Sequence, residues 1–191
     1  RLQGKAALVT GGGTGIGLGI ATGLAQEGCR VAIAGRRADK LKEAAAGYTG
    51  PGSLLTCAAD VGKPESVQEL FRWAARELGQ IDILVASAGV NTARRTMAEL
   101  SPEDWEKMLR INLSGTYYCM REVLPQMRER KDGLIINISS TSGKRASMLG
   151  GVGYCASKFG VSALGQAVAL EDGHHGVRVT NVYPGEVDTP I

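Results

Sequence analysis

Short apolar runs recur along the chain, separated by longer segments in which apolar residues have helical spacing. Each run is continuously apolar, which is typical of strands in a parallel sheet that is covered on both faces. The segments between them place apolar residues four positions apart, as at Ile16, Ile20 and Leu24, and this spacing predicts amphipathic helices. The predicted strands are residues 6–10, 30–34, 54–58, 83–86, 134–138 and 177–183.

The alternation of strands with helices predicts the fold class. Parallel strands are joined by right-handed crossovers through helices, so the pattern indicates a doubly wound α/β fold with a mostly or wholly parallel sheet between two helical layers. Ser101 and Pro102 form a typical helix start, and Gly79, Gly133 and Gly176 each follow a predicted helix. No repeat or linker interrupts the pattern, and we interpret residues 1–191 as one domain.

Charge and composition exclude several classes of partner. The chain has 22 Lys and Arg against 19 Asp and Glu, a net charge of +3, and this balance provides no basic stripe for nucleic acid or anionic lipid. No apolar stretch approaches the 18 or so residues of a membrane span. The four cysteines are far apart, as in reduced cytoplasmic proteins, and His174 and His175 have no third ligand nearby in the sequence, so we expect no metal. Function is therefore expected in a pocket, with a small-molecule ligand.

Glycine is the exception to this ordinary composition, because 27 of 191 residues are glycine, about twice the usual share. Residues 10–17, TGGGTGIG, directly follow the first strand and open into a helix. Backbone N–H groups and the positive helix end at such a turn suit a phosphate, although a glycine-lined turn without a ligand is the alternative. We prefer the register of Gly11, Gly15 and Gly17 over one ending at Gly19, because it puts the turn before Ile16, where the helical face begins.

The end of the second strand bears on which dinucleotide would bind. A site of this kind needs a group near the ribose 2′ position, either an acid for a hydroxyl or an arginine for a phosphate. Arg36 and Arg37 follow the strand, and no carboxylate stands beside them. Guanidinium groups suit a phosphate, so the sequence favours NADP over NAD, and the alternative is a solvated basic pair at a helix start.

Tyr154 and Lys158 are four residues apart on a predicted helix and therefore share one face. A phenol with a pKa of about 10 is a poor base at neutral pH, but an ammonium about 4 Å away in an effective dielectric of about 20 contributes roughly 4 kcal/mol. We therefore expect Lys158 to lower the pKa of Tyr154 and to make Tyr154 a general acid and base. Ser140 is the third residue of the predicted reactive group. A surface Tyr–Lys pair of little effect is the alternative.

With these motifs in order, the chain resembles the short-chain dehydrogenase/reductase family over essentially all of its length. The resemblance implies a Rossmann-type fold and hydride transfer between a nicotinamide cofactor and a carbonyl or alcohol. The residues that carry it are Thr10, Gly11, Gly15, Ile16 and Gly17 of the loop, Asp60 and Val61, Ala88 and Gly89, Asn112, Ser140, Tyr154 and Lys158, and Pro184, Gly185 and Thr189.

The resemblance also implies a role for each position. Tyr154 would transfer the proton, Lys158 would bind the nicotinamide ribose, and Ser140 would hydrogen-bond the substrate oxygen. Asn112 would hold a relay water. The cofactor contacts implied are Asp60 and Val61 on adenine, Gly89 on the ribose side and Thr189 on the carboxamide. Ala88, Pro184 and Gly185 are implied to bind the cofactor as well.

The chain departs from the family pattern in two places. Ala86 stands where the family usually has a sheet-stabilising asparagine, so no role is assigned to it. Family members also continue beyond the position of Ile191 into a substrate-covering loop, a further helix and a last strand, and we expect a corresponding carboxyl-terminal part. The substrate is left undefined by residues 1–191.

An NADP-dependent reductase or dehydrogenase is therefore the leading hypothesis. An epimerase or dehydratase on the same scaffold would keep the cofactor loop and the Tyr–Lys pair, and a non-catalytic NADP-binding regulator would lose part of this set. Because Asn112, Ser140, Tyr154 and Lys158 are all present, catalysis is favoured.

Self-association is expected as well. The helices near residues 105–127 and 154–170 have more apolar residues than one buried face needs, and a symmetric partner is the simplest cover for the surplus. The family resemblance also points to a homodimer or homotetramer built on these helices. The residues concerned are Leu109, Ile111, Leu113, Val123, Leu124, Phe159, Val161 and Leu164.

Overall fold

The structure, a computed structural model, describes residues 2–188 and contains six strands that alternate with helices. The predicted strands are all present, with shifts of one residue at three of their ends. They are β1 (Ala6–Thr10), β2 (Arg30–Gly35), β3 (Leu54–Ala58), β4 (Ile83–Ala86), β5 (Gly133–Ile138) and β6 (Val177–Val182).

Six α-helices connect these strands. A π-helical turn at Leu109–Ser114 lies between the fourth and the fifth, and a short 3₁₀ turn at Thr141–Gly143 follows β5. The helices are α1 (Gly15–Gln26), α2 (Ala38–Gly47), α3 (Pro64–Leu78), α4 (Pro102–Met108), α5 (Gly115–Arg130) and α6 (Val152–Asp172).

The strands form one sheet in the order β3-β2-β1-β4-β5-β6, and every pairing is parallel. This arrangement confirms the predicted doubly wound α/β fold. The order reverses between β1 and β4, and open sheets of this kind bind ligands outside the carboxyl ends of the strands at such a switch point.

Successive residues of the central strand β1 face opposite sides of the sheet. Ala6 and Leu8 belong to one apolar core beneath α3 and α5, whereas Ala7 and Val9 belong to the other beneath α1 and α2. Both faces of the central strands are therefore covered, as a continuously apolar run predicts.

The two outer strands differ from the prediction. Residues of β6 alternate between the inside and the surface, and only the first residue of β3, Leu54, is fully buried. Val177 of β6 is buried whereas Val182 is 40% exposed. Within residues 2–188, β3 and β6 each pair with a strand on one side only, which apolar composition does not reveal.

Part of the apolar surplus predicted on the long helices is also absent. Ile111, Val123, Leu124 and Val161 are buried within the chain itself, so they offer no surface to a partner. Phe159 remains 43% exposed.

The predicted helix ends are mostly confirmed. The Ser101 hydroxyl accepts a hydrogen bond from the backbone N–H of Asp104 at 3.1 Å, which caps α4. After α5 the prediction of a glycine turn is wrong, because Lys131 adopts the left-handed conformation with φ 55° and Gly133 begins β5. Gly133 packs under Met127, where a Cβ would lie 2.4 Å from the Met127 Cγ.

A buried carboxylate joins the amino ends of two central strands. Asp82 is 4% exposed, and its Oδ2 accepts the backbone N–H of Ala6 at 2.8 Å. Its Oδ1 accepts from Gln80 Nε2 at 3.0 Å and from Lys5 Nζ at 3.4 Å. Lys5 also pairs with the half-exposed Asp132 at 3.1 Å. The end of the sheet opposite the strand carboxyl ends is therefore held by polar contacts.

Replacing Asp82 with Ala is expected to lower the free energy of unfolding by about 2 kcal/mol, because the Ala6 N–H would be left buried without a partner. Asp132→Ala is the matched control, and loss of its exposed ion pairs should lower that free energy by less than about 1 kcal/mol. Urea denaturation followed by circular dichroism measures both variants. Equal losses would contradict the role of the buried carboxylate.

Candidate active site

The glycine loop between β1 and α1 is shaped by close backbone contacts. Gly11 has φ +67°, and a Cβ there would lie 2.8 Å from the Cα of Ala88. A Cβ on Gly17 would lie 2.3 Å from the Gly11 carbonyl oxygen, whereas Gly19 has open space around it. These contacts favour the register of Gly11, Gly15 and Gly17, since larger side chains are excluded at both ends of that set.

The start of α1 leaves backbone donors available. Its first turn has no acidic residue, and the Thr14 side chain forms no capping hydrogen bond. The first N–H groups of a helix have no partner within the helix, and together with the helix dipole they favour an anion.

A single cleft of about 950 Å³ extends from this loop across the carboxyl ends of the strands. It brings together most of the residues predicted for the site. Those that line it are Gly11, Gly15, Ile16, Gly17, Arg36, Arg37, Asp60, Val61, Ala88, Gly89, Ser140, Tyr154, Lys158, Pro184 and Gly185.

Three predicted residues lie elsewhere. Thr10 is 1% exposed, and its hydroxyl accepts the backbone N–H of Ser87 at 3.2 Å, so it ties β1 to the segment after β4 instead of facing the cleft. Asn112 lies just beneath the cleft, 1% exposed. Thr189 falls outside the described residues.

Lys158 is buried at the centre of the cleft. It is 4% exposed, and its Nζ donates a hydrogen bond to the Ile138 carbonyl oxygen at 2.7 Å. The same Nζ lies 5.6 Å from the centre of the Tyr154 ring, so the predicted sharing of one helix face is confirmed. Burial lowers the pKa of Lys158 to about 8.

The pKa of Tyr154 moves in the direction opposite to the expected one. Burial raises it above its ordinary value, and a hydrogen bond with the Ser140 side chain opposes that change in part. The expectation was wrong in direction because it counted the attraction of the ammonium but not the loss of solvent around the phenol.

The π-helical turn holds Asn112 in a fixed orientation. Its Oδ1 accepts the Val90 N–H at 2.8 Å, and its Nδ2 donates to the Val90 carbonyl at 2.9 Å. The second N–H of the amide reaches the Ser157 hydroxyl at 3.0 Å. Both amide donors are thus used within the protein, and the implied relay water stays a prediction.

Comparison with known proteins identifies the family of the chain that forms this cleft. The family model for short chain dehydrogenases matches residues 5–191. The chain belongs to the short-chain dehydrogenase/reductase family. It is accordingly an oxidoreductase of a family that uses a nicotinamide cofactor, NAD or NADP.

The match covers all of this chain but only part of each similar protein, and that part differs between them. An uncharacterized oxidoreductase of Staphylococcus aureus is 38% identical over 190 residues, which cover 100% of this chain and 81% of that protein. A glycine betaine reductase of Emericella nidulans is 40% identical over 191 residues, 100% of this chain and 15% of that protein. The crystal structure of a levodione reductase has a TM-score of 0.93 at 29% identity, covering 100% of this chain and 74% of that one.

This short-chain dehydrogenase/reductase also has cleft residues that the sequence analysis did not identify. Lys40 lines the end of the cleft near Arg36, and Asn91 and Arg95 line the wall near Tyr154. Lys40 sits in a helical pattern, and the other two sit in a loop without a motif. Only their positions after strands β2 and β4 would have suggested them.

Proposed function

We propose that the protein reduces a carbonyl compound with NADPH and catalyses the reverse oxidation of an alcohol, with Tyr154 as the proton donor. The observation that supports this best is the buried Lys158 ammonium, 5.6 Å from the centre of the Tyr154 ring, with Ser140 lining the same cleft. This group lies in the same cleft as the glycine loop. A reacting carbonyl would therefore meet the donor and a dinucleotide in one space.

The residues present fit a nicotinamide dinucleotide. The loop at Gly11 and Gly17 has no room for side chains, and the uncapped start of α1 offers N–H groups to a pyrophosphate. Asp60 and Val61 would contact the adenine, and Ala88 and Gly89 the ribose side. The remaining contacts proposed are Lys158 and Tyr154 on the nicotinamide ribose, and Pro184, Gly185 and Thr189 at the carboxamide end.

A nicotinamide cofactor held by these residues would supply the hydride for the carbonyl carbon. Tyr154 donates its phenol proton to the carbonyl oxygen, which becomes the alcohol hydroxyl. Ser140 hydrogen-bonds that same oxygen, and the Lys158 ammonium stabilises the phenolate that remains. The raised pKa of Tyr154 keeps the phenol protonated at neutral pH, which suits reduction.

NADP is favoured at the adenosine end of the cleft. Arg36 and Arg37 are exposed and line the cleft, and Lys40 adds a third cation. Asp39, the nearest carboxylate in sequence, does not line it. Lys40 is paired with Glu43 at 2.6 Å, so the two arginines are the groups that suit a 2′-phosphate better than a 2′-hydroxyl.

Two further considerations support reduction of a small molecule. Two of the similar proteins are named as reductases, one of glycine betaine and one of levodione. A non-catalytic regulator would not need to bury Lys158 beside Tyr154 and Ser140, whereas an epimerase or dehydratase would.

No helix within residues 2–188 is long and apolar enough to cross a membrane, and a cytoplasmic location stays a prediction.

We also propose that the protein forms a homodimer or homotetramer through α5 and α6. Of the predicted set, only Phe159 is exposed, at 43%. Two residues outside that set, Tyr117 on α5 and Leu170 on α6, are 44% and 87% exposed. Sedimentation velocity at micromolar concentration is expected to show a dimer or tetramer, and Phe159→Glu is expected to shift it toward monomer. A wild-type monomer would contradict the proposal.

NADPH is expected to bind about 10- to 100-fold more tightly than NADH, because a guanidinium–phosphate pair adds charge-assisted hydrogen bonds. Arg36→Ala should remove most of this preference by weakening NADPH binding alone. Fluorescence titration of both cofactors measures it, with Arg72→Ala, a surface arginine outside the cleft, as the control. Equal wild-type affinities for the two cofactors would contradict NADP specificity.

Tyr154→Phe removes the transferable proton and keeps the ring, so we expect turnover to fall by about 10²- to 10⁴-fold while cofactor affinity is largely retained. Lys158→Ala is expected to lose turnover and cofactor affinity together, because the same ammonium is assigned to the ribose. Stopped-flow rates and cofactor titrations separate the two. Near wild-type turnover in Tyr154→Phe would overturn the proton assignment.

The reduction rate should depend on the charge of Lys158. Its lowered pKa means that the ammonium is present below pH about 8 and is lost as pH rises through that value. The value of kcat/KM for reduction is therefore expected to be constant at neutral pH and to fall above about pH 8, before the phenol itself titrates. Lys158→Arg keeps its positive charge over this range, so its remaining kcat/KM should not fall above about pH 8. A flat wild-type profile through pH 9 to 10, roughly the range of an ordinary lysine, would count against it.

A further inference from the structure

The segment that follows β4 contacts several elements around the active site. Val90 bonds both of its backbone groups to the Asn112 side chain in the π-helical turn. Thr92 donates from its hydroxyl to the Asp104 carboxylate in α4 at 3.3 Å. The segment is thus anchored to the π-helical turn and to α4.

The same segment also contacts the loop that leads into α6. The Asn91 Nδ2 donates to the Gly150 carbonyl at 3.2 Å, and the Arg95 guanidinium donates to the Leu149 carbonyl. The Arg95 backbone carbonyl accepts the Val152 N–H at 3.1 Å. Two side chains and one backbone group therefore join residues 91–95 to residues 149–152.

Gly151 shows how close this approach is. It has φ +76°, which disfavours other residues, and a Cβ there would lie 2.5 Å from the Arg95 Cβ and 2.6 Å from its carbonyl oxygen. The two backbones can meet only where position 151 has no side chain.

These contacts replace a missing helix cap. No side chain caps the start of α6, and the first N–H groups of a helix lack partners within the helix. The Arg95 carbonyl satisfies the N–H of Val152, the first residue of α6. Without such a partner the first turn of a helix frays readily.

Tyr154 lies between this contact and a second one. Two residues before it, Val152 is held by Arg95, and three residues after it, Ser157 is held by Asn112 at 3.0 Å. The Ser157 hydroxyl also donates to the Tyr154 carbonyl at 2.8 Å. The backbone of Tyr154 is therefore fixed on both sides by residues outside its own helix.

We infer that Asn91 and Arg95 are positioning residues that hold the start of α6, and with it the Tyr154 hydroxyl, in place for proton transfer. The inference rests on the proposed role of Tyr154. It assigns to Arg95 an effect on turnover that acts through Tyr154 and not through contact with substrate.

Arg95→Ala and Asn91→Ala are expected to lower kcat for carbonyl reduction by about 10-fold or more, because a misplacement near 1 Å can cost about 10²-fold in rate. Arg94→Ala, which removes the same charge from an exposed neighbour outside the cleft, is the control and should keep wild-type kcat. Arg95→Lys, which can still donate to the Leu149 carbonyl, should restore part of the loss. A raised KM for the carbonyl substrate with unchanged kcat in Arg95→Ala would overturn the inference in favour of direct substrate binding.

Amide hydrogen exchange gives a readout that is independent of activity. The N–H groups of residues 152–155 should exchange faster in Arg95→Ala than in the wild type, while those in the middle of α6 are unchanged. Arg94→Ala should match the wild type throughout. Unchanged exchange at residues 152–155 in Arg95→Ala would show that the side chain does not hold the helix start.

A double-variant cycle tests whether Arg95 acts through Tyr154. If it does, Arg95→Ala should lower the residual turnover of Tyr154→Phe by less than about twofold, although it lowers wild-type turnover about 10-fold. An equal loss in both backgrounds would overturn the inference and leave the proposed function intact. Near wild-type turnover in Tyr154→Phe alone would instead overturn the proposed function, so the two failures are distinguishable.

Discussion

Burial of the Lys158 ammonium is the constraint around which the active site is organised. Removing a charge from water is unfavourable by several kcal/mol, and the hydrogen bond to the Ile138 carbonyl at 2.7 Å offsets only part of this, since the pKa of Lys158 is still lowered to about 8. The residues on either side of Ile138 are themselves held. Asn137 donates to Asn181 of β6 at 3.0 Å, and the Ser139 hydroxyl donates to the Lys158 carbonyl at 3.1 Å. The end of β5 and the middle of α6 are therefore fixed together at the charged group.

Sheet topology explains why the glycine loop and Tyr154 share one cleft. The strand order reverses beside β1, so the loop after β1 and the segment after β4 meet at the switch point. Gly11 touches Ala88 there, and Thr10 ties the two strand ends through its hydroxyl. The same segment after β4 also forms hydrogen bonds with Asn112 and with the loop before α6. Contacts made by Gly11 and Thr10 thus join the glycine loop to the segment that contacts Asn112 and the start of α6.

The sequence predicted the fold well because its signals are local. Continuous apolar runs located all six strands to within one residue, and the glycine loop after the first strand and the arginines after the second line the cleft. What it missed depends on contacts between distant residues. Within residues 2–188, β3 and β6 each pair with a strand on one side only, and the left-handed turn after α5 falls on Lys131 while Gly133 packs beneath Met127.

The direction of the Tyr154 pKa shift and the proposed role of Arg95 could not be predicted from the sequence, because both depend on how distant residues pack. A Tyr–Lys spacing of four residues shows a shared helix face but not how much water surrounds the phenol, and desolvation here exceeds the effects that lower its pKa. Likewise, Asn91 and Gly150 are 59 residues apart and belong to two loops without a motif. A helix start without a side-chain cap needs partners from elsewhere, and only the packing of those loops shows which residues supply them. The chemistry of the site is thus local in sequence, whereas its positioning is not.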